Sequence, residues 1–101
     1  MKMLLTVEFP PEPFNALVKS GKVGEVIGRI LKTIKPEIAY FTEQDGKRGG
    51  IFVIDLQNQS DVPSIAEPFF LQFQADCKFR ILMSPEDLQK ANLEDLGKKW
   101  T

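Results

Sequence analysis

The apolar residues of this chain repeat every second position, then every third to fourth, then every second again, and that order of periods leaves few folds open. Lys2 to Phe9 alternates, with Met3, Leu5, Val7 and Phe9 on one side and Lys2, Leu4, Thr6 and Glu8 on the other, the pattern of a half-buried strand. Pro10, Pro11 and Pro13 end it, because proline donates nothing to a ladder. Val23, Val26, Ile27, Ile30, Leu31 and Ile34 then form a helical stripe with Lys22, Glu25, Arg29 and Lys32 opposite. Phe14, Leu17 and Val18 extend the stripe backwards across Ser20-Gly21, where a break is expected, and Pro36 ends it. Gly24 and Gly28 are expected to let this helix approach the sheet closely.

Two further strands follow, over 37–43 and 50–56, around an Asp45-Gly46 turn signal. The intervening segment exceeds two residues, which predicts a wider turn. A second helix is expected from Asp61, capped by that residue, through Val62, Ile65, Ala66, Phe69, Phe70 and Phe73, with a kink at Pro68. Residues 77–83 alternate again. Ser84-Pro85-Glu86-Asp87 reads as the start of a short C-terminal helix reaching Asn92. Beyond it, Leu93, Leu96 and Trp100, with Leu88 before them, give an apolar tail too large for a small monomer to cover.

This length of 101 residues suits one domain, with a core over 2–83 and an appended tail over 84–101. Thirteen basic side chains against fourteen acidic ones, 13 and 14 by count, give a net charge of −1 and no electrostatic reason for a polyanion partner. There is no histidine, which removes Ser-His-Asp relays, His-ligated haem and His acid–base steps. The lone cysteine, Cys77, has no partner for a disulfide within the chain, and without histidine no zinc set can be assembled. No cofactor and no metal is expected. No stretch approaches the roughly 20 apolar residues of a membrane span, and the N-terminal apolar run is too short for a signal peptide, so a soluble cytoplasmic protein is expected.

The order strand, helix, strand, strand, helix, strand, with right-handed crossovers, folds most economically into an α+β, ferredoxin-like βαββαβ unit: a four-stranded antiparallel sheet with both helices on one face. The other face is left bare. It takes Leu4, Thr6 and Glu8 from the first strand and Lys78, Arg80 and Leu82 from the last. Ile51, Val53 and Asp55 are assigned there because Phe52, Ile54 and Leu56 suit the helix side better. From the second strand, either Ile38, Tyr40 and Thr42 or Ala39 and Phe41 join them. Such a face is too apolar for water and too charged for a core.

The segment AYFTEQDGKRGGIFVIDL, followed by DVPSIAEPFF, together with the element order over about residues 2–83, resembles the dimeric α+β barrel superfamily, and within it a small bacterial subfamily. The resemblance implies two sheets packed back to back as a homodimer. Members include cofactor-free monooxygenases, isomerases, haem-handling enzymes and proteins of no known activity, so the resemblance names no substrate.

Thr6, Glu8, Asp55, Lys78 and Arg80 are the candidate ligand-binding residues, with Arg80 holding a carboxylate and Glu8 or Asp55 acting as a base. Plain cross-strand ion pairing at an interface explains the same charges and carries more weight. Tyr40, the sole tyrosine, joins the set as a residue able to orient a ligand, although an amphipathic filler is the commoner role. Glu67, beside Pro68, is within reach of a pocket mouth but reads more simply as a solvated helix residue. Cys77 lacks a base to activate it. Lys47-Arg48-Gly49-Gly50-Ile51-Phe52-Val53 partly matches the third-strand signature of RNA-recognition motifs. The match fails where stacking needs aromatics, since Gly50 and Asp55 stand there.

These readings lead to a homodimeric small-molecule-binding or accessory protein with a pocket between sheet and partner. One alternative is a cofactor-independent enzyme, monooxygenase- or isomerase-like, acting on a small organic substrate. Another is a purely structural dimerisation module. Neither nucleic acid nor membrane is an expected partner.

Overall fold

A computed structural model describes all residues, 1–101. The chain runs β1 (Lys2–Phe9), α1 (Pro11–Ser20), α2 (Val23–Ile34), β2 (Ile38–Gln44), β3 (Lys47–Asp55), α3 (Val62–Phe73), β4 (Asp76–Ile81), α4 (Pro85–Lys90) and α5 (Leu93–Lys99). The four strands form one antiparallel sheet in the order β2-β3-β1-β4. One face of the sheet carries α1, α2 and α3. The α+β architecture is the one expected from the order of periods.

The core follows directly from the alternation in β1. Leu5 and Val7 are fully buried and Phe9 nearly so. They meet Phe52 and Ile54 of β3 and Ile30, Ile34, Ile65, Phe69 and Phe73 from the helices. Phe9 stands edge-on to Phe73 with centroids 5.0 Å apart, and Phe52 lies 5.4 Å from Phe69. Aromatic pairs in such offset or edge arrangements add stability beyond the area they bury.

Several local expectations need correction. The β2–β3 connection is a two-residue turn, not a wider one. Asp45 and Gly46 both take positive φ (53° and 78°), as a type I′ hairpin requires. The Glu43 carboxylate accepts the Gly46 N–H at 2.7 Å, which leaves Gln44 and Lys47 paired across the turn. The expected break at Ser20-Gly21 is present: Gly21, at φ 77°, closes α1 by donating to Leu17 and Val18.

Gly24 and Gly28 do not meet the sheet; both are exposed, and a Cβ added at either would touch nothing within 4 Å. Pro68, where a kink is expected, lies inside α3, which runs as one helix from Val62 to Phe73. The carbonyl freed by its ring belongs to Ser64, an exposed residue, so the lost bond is not sealed in the core. Asp61 does not cap α3 through its side chain. Its carboxylate instead accepts the Asn58 N–H at 3.3 Å, holding a single 3₁₀ turn over Gln59–Asp61 ahead of the helix.

At the C-terminus there are two short helices where one is expected. Asn92, at φ 54°, ends α4 and starts α5, its side chain accepting the Asp95 N–H. The signal was a second Asn-x-x-Asp repeat of the Ser84–Asp87 box.

Candidate functional site on the open sheet face

The ladder register assigns every residue of the uncovered face. One row runs Tyr40, Ile51, Thr6, Lys78 across β2, β3, β1 and β4. The next row toward the start of β1 is Ile38, Val53, Leu4, Arg80, and the next the other way is Thr42, Gly49, Glu8, Asp76. Lys2 and Asp55 lie opposite each other at the end of the sheet. The parity of β2, open at the sequence level, therefore places Ile38, Tyr40 and Thr42 on this face. Thr6, Glu8, Tyr40, Asp55, Lys78 and Arg80 all share it.

They do not form a single cluster. The face divides lengthwise. Its β2–β3 half is apolar, built from Ile38, Tyr40, Ile51 and Val53 with Leu4 of β1. Its β4 edge is charged, built from Asp76, Lys78 and Arg80 with Glu8. Tyr40 is 67% exposed and Ile38 45%. Glu8 and Arg80 sit two rows apart, about 13 Å along the strands, too far for the carboxylate to serve a group held by Arg80 within one chain. Asp55 sits one row from Arg80 but two strands across the sheet, and it is already occupied: its carboxylate meets the N-terminal ammonium of Met1 at 3.1 Å. Lys2 turns to Glu37 at 2.6 Å, and that hydrogen bond holds its ammonium above the ordinary lysine pKa, against a smaller lowering by desolvation.

Glu8 and Asp76 are direct cross-strand neighbours, an unfavourable pairing of like charges. The chain's ion pairs are Met1–Asp55 and Lys2–Glu37, so neither carboxylate has a cation within ion-pair distance, and neither Lys78 nor Arg80 has a carboxylate. Asp76 is the residue that reading the sequence missed; it lies just ahead of the expected start of β4, and only the β1 register reveals it beside Glu8.

The remaining candidates lie elsewhere. Cys77 points to the helix side of β4; burial, with a smaller contribution from Asp76, pushes its thiol up to about 11. Phe52 is fully buried among the helices and offers no platform for a base. Arg48 stacks over Phe14 at 4.3 Å and donates to Asn15 at 2.8 Å. Glu67 lines a groove of about 500 Å³ between α2 and α3, floored by Val26 and Ile30 and rimmed by Arg29, on the far side of the sheet. The open face itself has no walls. No group of three or more Cys, Asp or Glu side chains is placed to hold a metal ion, and no helix is long and apolar enough to cross a membrane.

Among solved structures, the chain is similar to a 5-chloro-2-hydroxyhydroquinone dehydrochlorinase from Burkholderia phenoliruptrix in complex with 2,5-dihydroxybenzoquinone. The match has a TM-score of 0.61 at 14% identity and covers 85% of this chain and 97% of that one. The fold is ferredoxin-like. A de novo designed protein, Ferredog-Diesel, aligns with TM-score 0.49 and 15% identity over 80% of this chain and 85% of its own. A formyltetrahydrofolate deformylase from Pseudomonas putida aligns with TM-score 0.49 and 12% identity over 81% of this chain and 29% of its own. No family model and no curated protein matches the chain.

Proposed function

We propose that this chain acts as a homodimer, a member of the dimeric α+β barrel superfamily and of a small bacterial subfamily within it, and that its paired open faces enclose a site for a small oxygenated organic molecule. The observation that carries the reading is the divided face. A two-fold axis brings an apolar half against an apolar half, and it can set Lys78 and Arg80 of one copy against Glu8 and Asp76 of the other. That arrangement relieves the Glu8–Asp76 repulsion, which one chain by itself leaves uncompensated.

Where the strips do not fully neutralise each other, Arg80 and Lys78 remain as donors for an anionic or carbonyl oxygen, and Tyr40 supplies a ring and hydroxyl at the opposite edge of the face. Thr6, between Ile51 and Lys78, adds a hydroxyl at the boundary of the two halves. The working body is residues 2–83, and the lone free thiol of Cys77 suits the reducing cytoplasm.

A second reading, catalysis without a cofactor, draws on the dehydrochlorinase that shares this fold and binds a hydroxylated quinone. It would require Glu8 from one copy to reach a group bound by Arg80 of the other, since the two are too far apart within one chain.

Light scattering after size exclusion tests the dimer, and a strict monomer at micromolar concentration ends the proposal. Benzoate and 2,5-dihydroxybenzoquinone are suitable probes for the site, followed by chemical-shift changes at Thr6, Tyr40 and Ile51. Arg80→Gln is expected to weaken probe binding about tenfold, the loss of a charge-assisted hydrogen bond. If Arg80→Glu and Glu8→Lys abolish association while probe binding by the wild-type dimer is absent, the protein is a dimerisation module and the ligand part fails.

A further inference from the structure

The residues after β4 behave unlike the rest of the chain. Every residue from Met83 to Thr101 is exposed, and neither α4 nor α5 packs substantially on another element. Leu93, Leu96 and Trp100 follow i, i+3, i+7 spacing, which puts them on one side of α5; they are 58%, 43% and 79% exposed. Helices of 6 and 7 residues are far below the roughly 12–15 needed for even marginal stability in water, capped or not. The caps at Ser84 and Asn92 specify the shape of this arm, but its persistence needs a surface for the apolar stripe.

The arm rests on no such surface of its own chain, and the dimensions show how far it stands from the body. The molecule measures 60 × 29 × 19 Å with a radius of gyration of 17.2 Å. A compact chain of this length has a radius of about 13 Å. Its accessible surface is 7271 Å², whereas a compact monomer of 11.4 kDa exposes about 5,800 Å². The excess, roughly 1,500 Å² per chain, is nearly twice what each partner buries in a standard interface and falls in the range of obligate homodimers. The arm also leaves the body at the edge of the proposed interface. Leu82 donates to the Lys2 carbonyl at 3.0 Å beside the start of β1, one row from Leu4, Val53 and Arg80 on the open face.

We propose that the arm, residues 84–101, crosses to the second copy and lays Leu93, Leu96 and Trp100 over the mouth of the space between the two sheets. Each binding site is then walled by the other chain. This rests on the sheet-to-sheet dimer of the preceding subsection and adds the missing walls: a flat face has none, and the arm is an apolar segment that packs on nothing in its own chain.

Trp100 is the sole tryptophan and sits at the far end of the arm, so it reports docking directly. In the full-length protein, followed from dilute to concentrated solution beside light scattering, Trp100 emission is expected to shift to the blue as the dimer forms. Iodide quenching should fall severalfold over the same range. The double variant Leu93→Asp, Leu96→Asp removes no contact within the body and should raise the dimerisation midpoint about tenfold or more, as truncating interface anchors does.

Three results overturn the proposal. A dimer whose Trp100 remains as quenchable as free tryptophan leaves the sheet-to-sheet reading intact and removes the arm from it. Protection of Trp100 that does not vary with concentration in a monomer means the arm folds onto its own chain. A monomer with exposed Trp100 at every concentration ends both readings.

Discussion

The two faces of this sheet are written in the same strands and differ by one residue of phase. In β1 the odd positions Met3, Leu5, Val7 and Phe9 are at most 8% exposed, while Leu4, Thr6 and Glu8 between them are only half-buried. The covered side is uniformly apolar and lies under the helices. The open side is apolar toward β2 and charged toward β4. A face meant for water would not carry Leu4, Ile51, Val53 and Ile38 together, and a face meant for a core would not carry Glu8, Asp76, Lys78 and Arg80. On the proposed reading, such a mixture suits a surface that holds a partner and still leaves polar groups at hand.

The largest expected contrast comes from cutting one large side chain on each side. Phe73 is fully buried against Phe9 and Phe14, and Phe73→Ala should cost about 3–5 kcal/mol of unfolding free energy in a urea titration. Ile51→Lys, on the open face, should change the stability of the dilute monomer by less than about 1 kcal/mol while abolishing self-association. Equal costs for the two would mean that the open side is already covered within a single chain.

A finer contrast uses glycines. Gly50 lies on the covered side, and a Cβ there would sit 2.7 and 2.9 Å from the Phe52 ring, which is itself buried between Phe41 and Phe69. Gly50→Ala should therefore destabilise by about 1–3 kcal/mol through overpacking. Gly28, on the outer surface of the helix layer, has open space, so Gly28→Ala should stabilise by about 0.5–1 kcal/mol, since alanine loses less backbone freedom in a helix. Thermal unfolding of the two variants checks both signs. A destabilised Gly28→Ala would mean that something packs on the outer face of α2.

The covered face was legible from the alternation of β1 alone, because burial of every second residue leaves a period that no other structure shares. The open face was legible only in part. Reading the Asp45-Gly46 connection as a two-residue type I′ turn would have set Gln44 opposite Lys47, and with it Tyr40 opposite Ile51, without any coordinates. The longer loop assumed instead left the parity of β2 open. Asp76 beside Glu8 was not legible, since the register of β4 on β1 depends on how α3 is packed. The exposed state of 84–101 was legible as excess apolar content, but the break at Asn92 hid behind a residue whose left-handed conformation the local sequence permits and does not demand.

The smallest expected effect contrasts two neighbours of one strand. Cys77 faces the helices and Lys78 the open side, so a reagent in solution samples the two faces of β4 at adjacent positions. Burial disfavours the thiolate, with Asp76 adding to it, and the thiol titrates near 11, not at the ordinary value of 9.0. The nucleophile in alkylation is the thiolate, so at neutral pH Cys77 should react with iodoacetamide far more slowly than a free thiol. The rate should climb as pH rises toward 11. The proposed dimer would cover the other face, so the rate for Cys77 should stay unchanged while Lys78 becomes slower to acylate as the protein concentration increases. Protection of both side chains together on concentration would mean that the helix side, too, takes part in the contact.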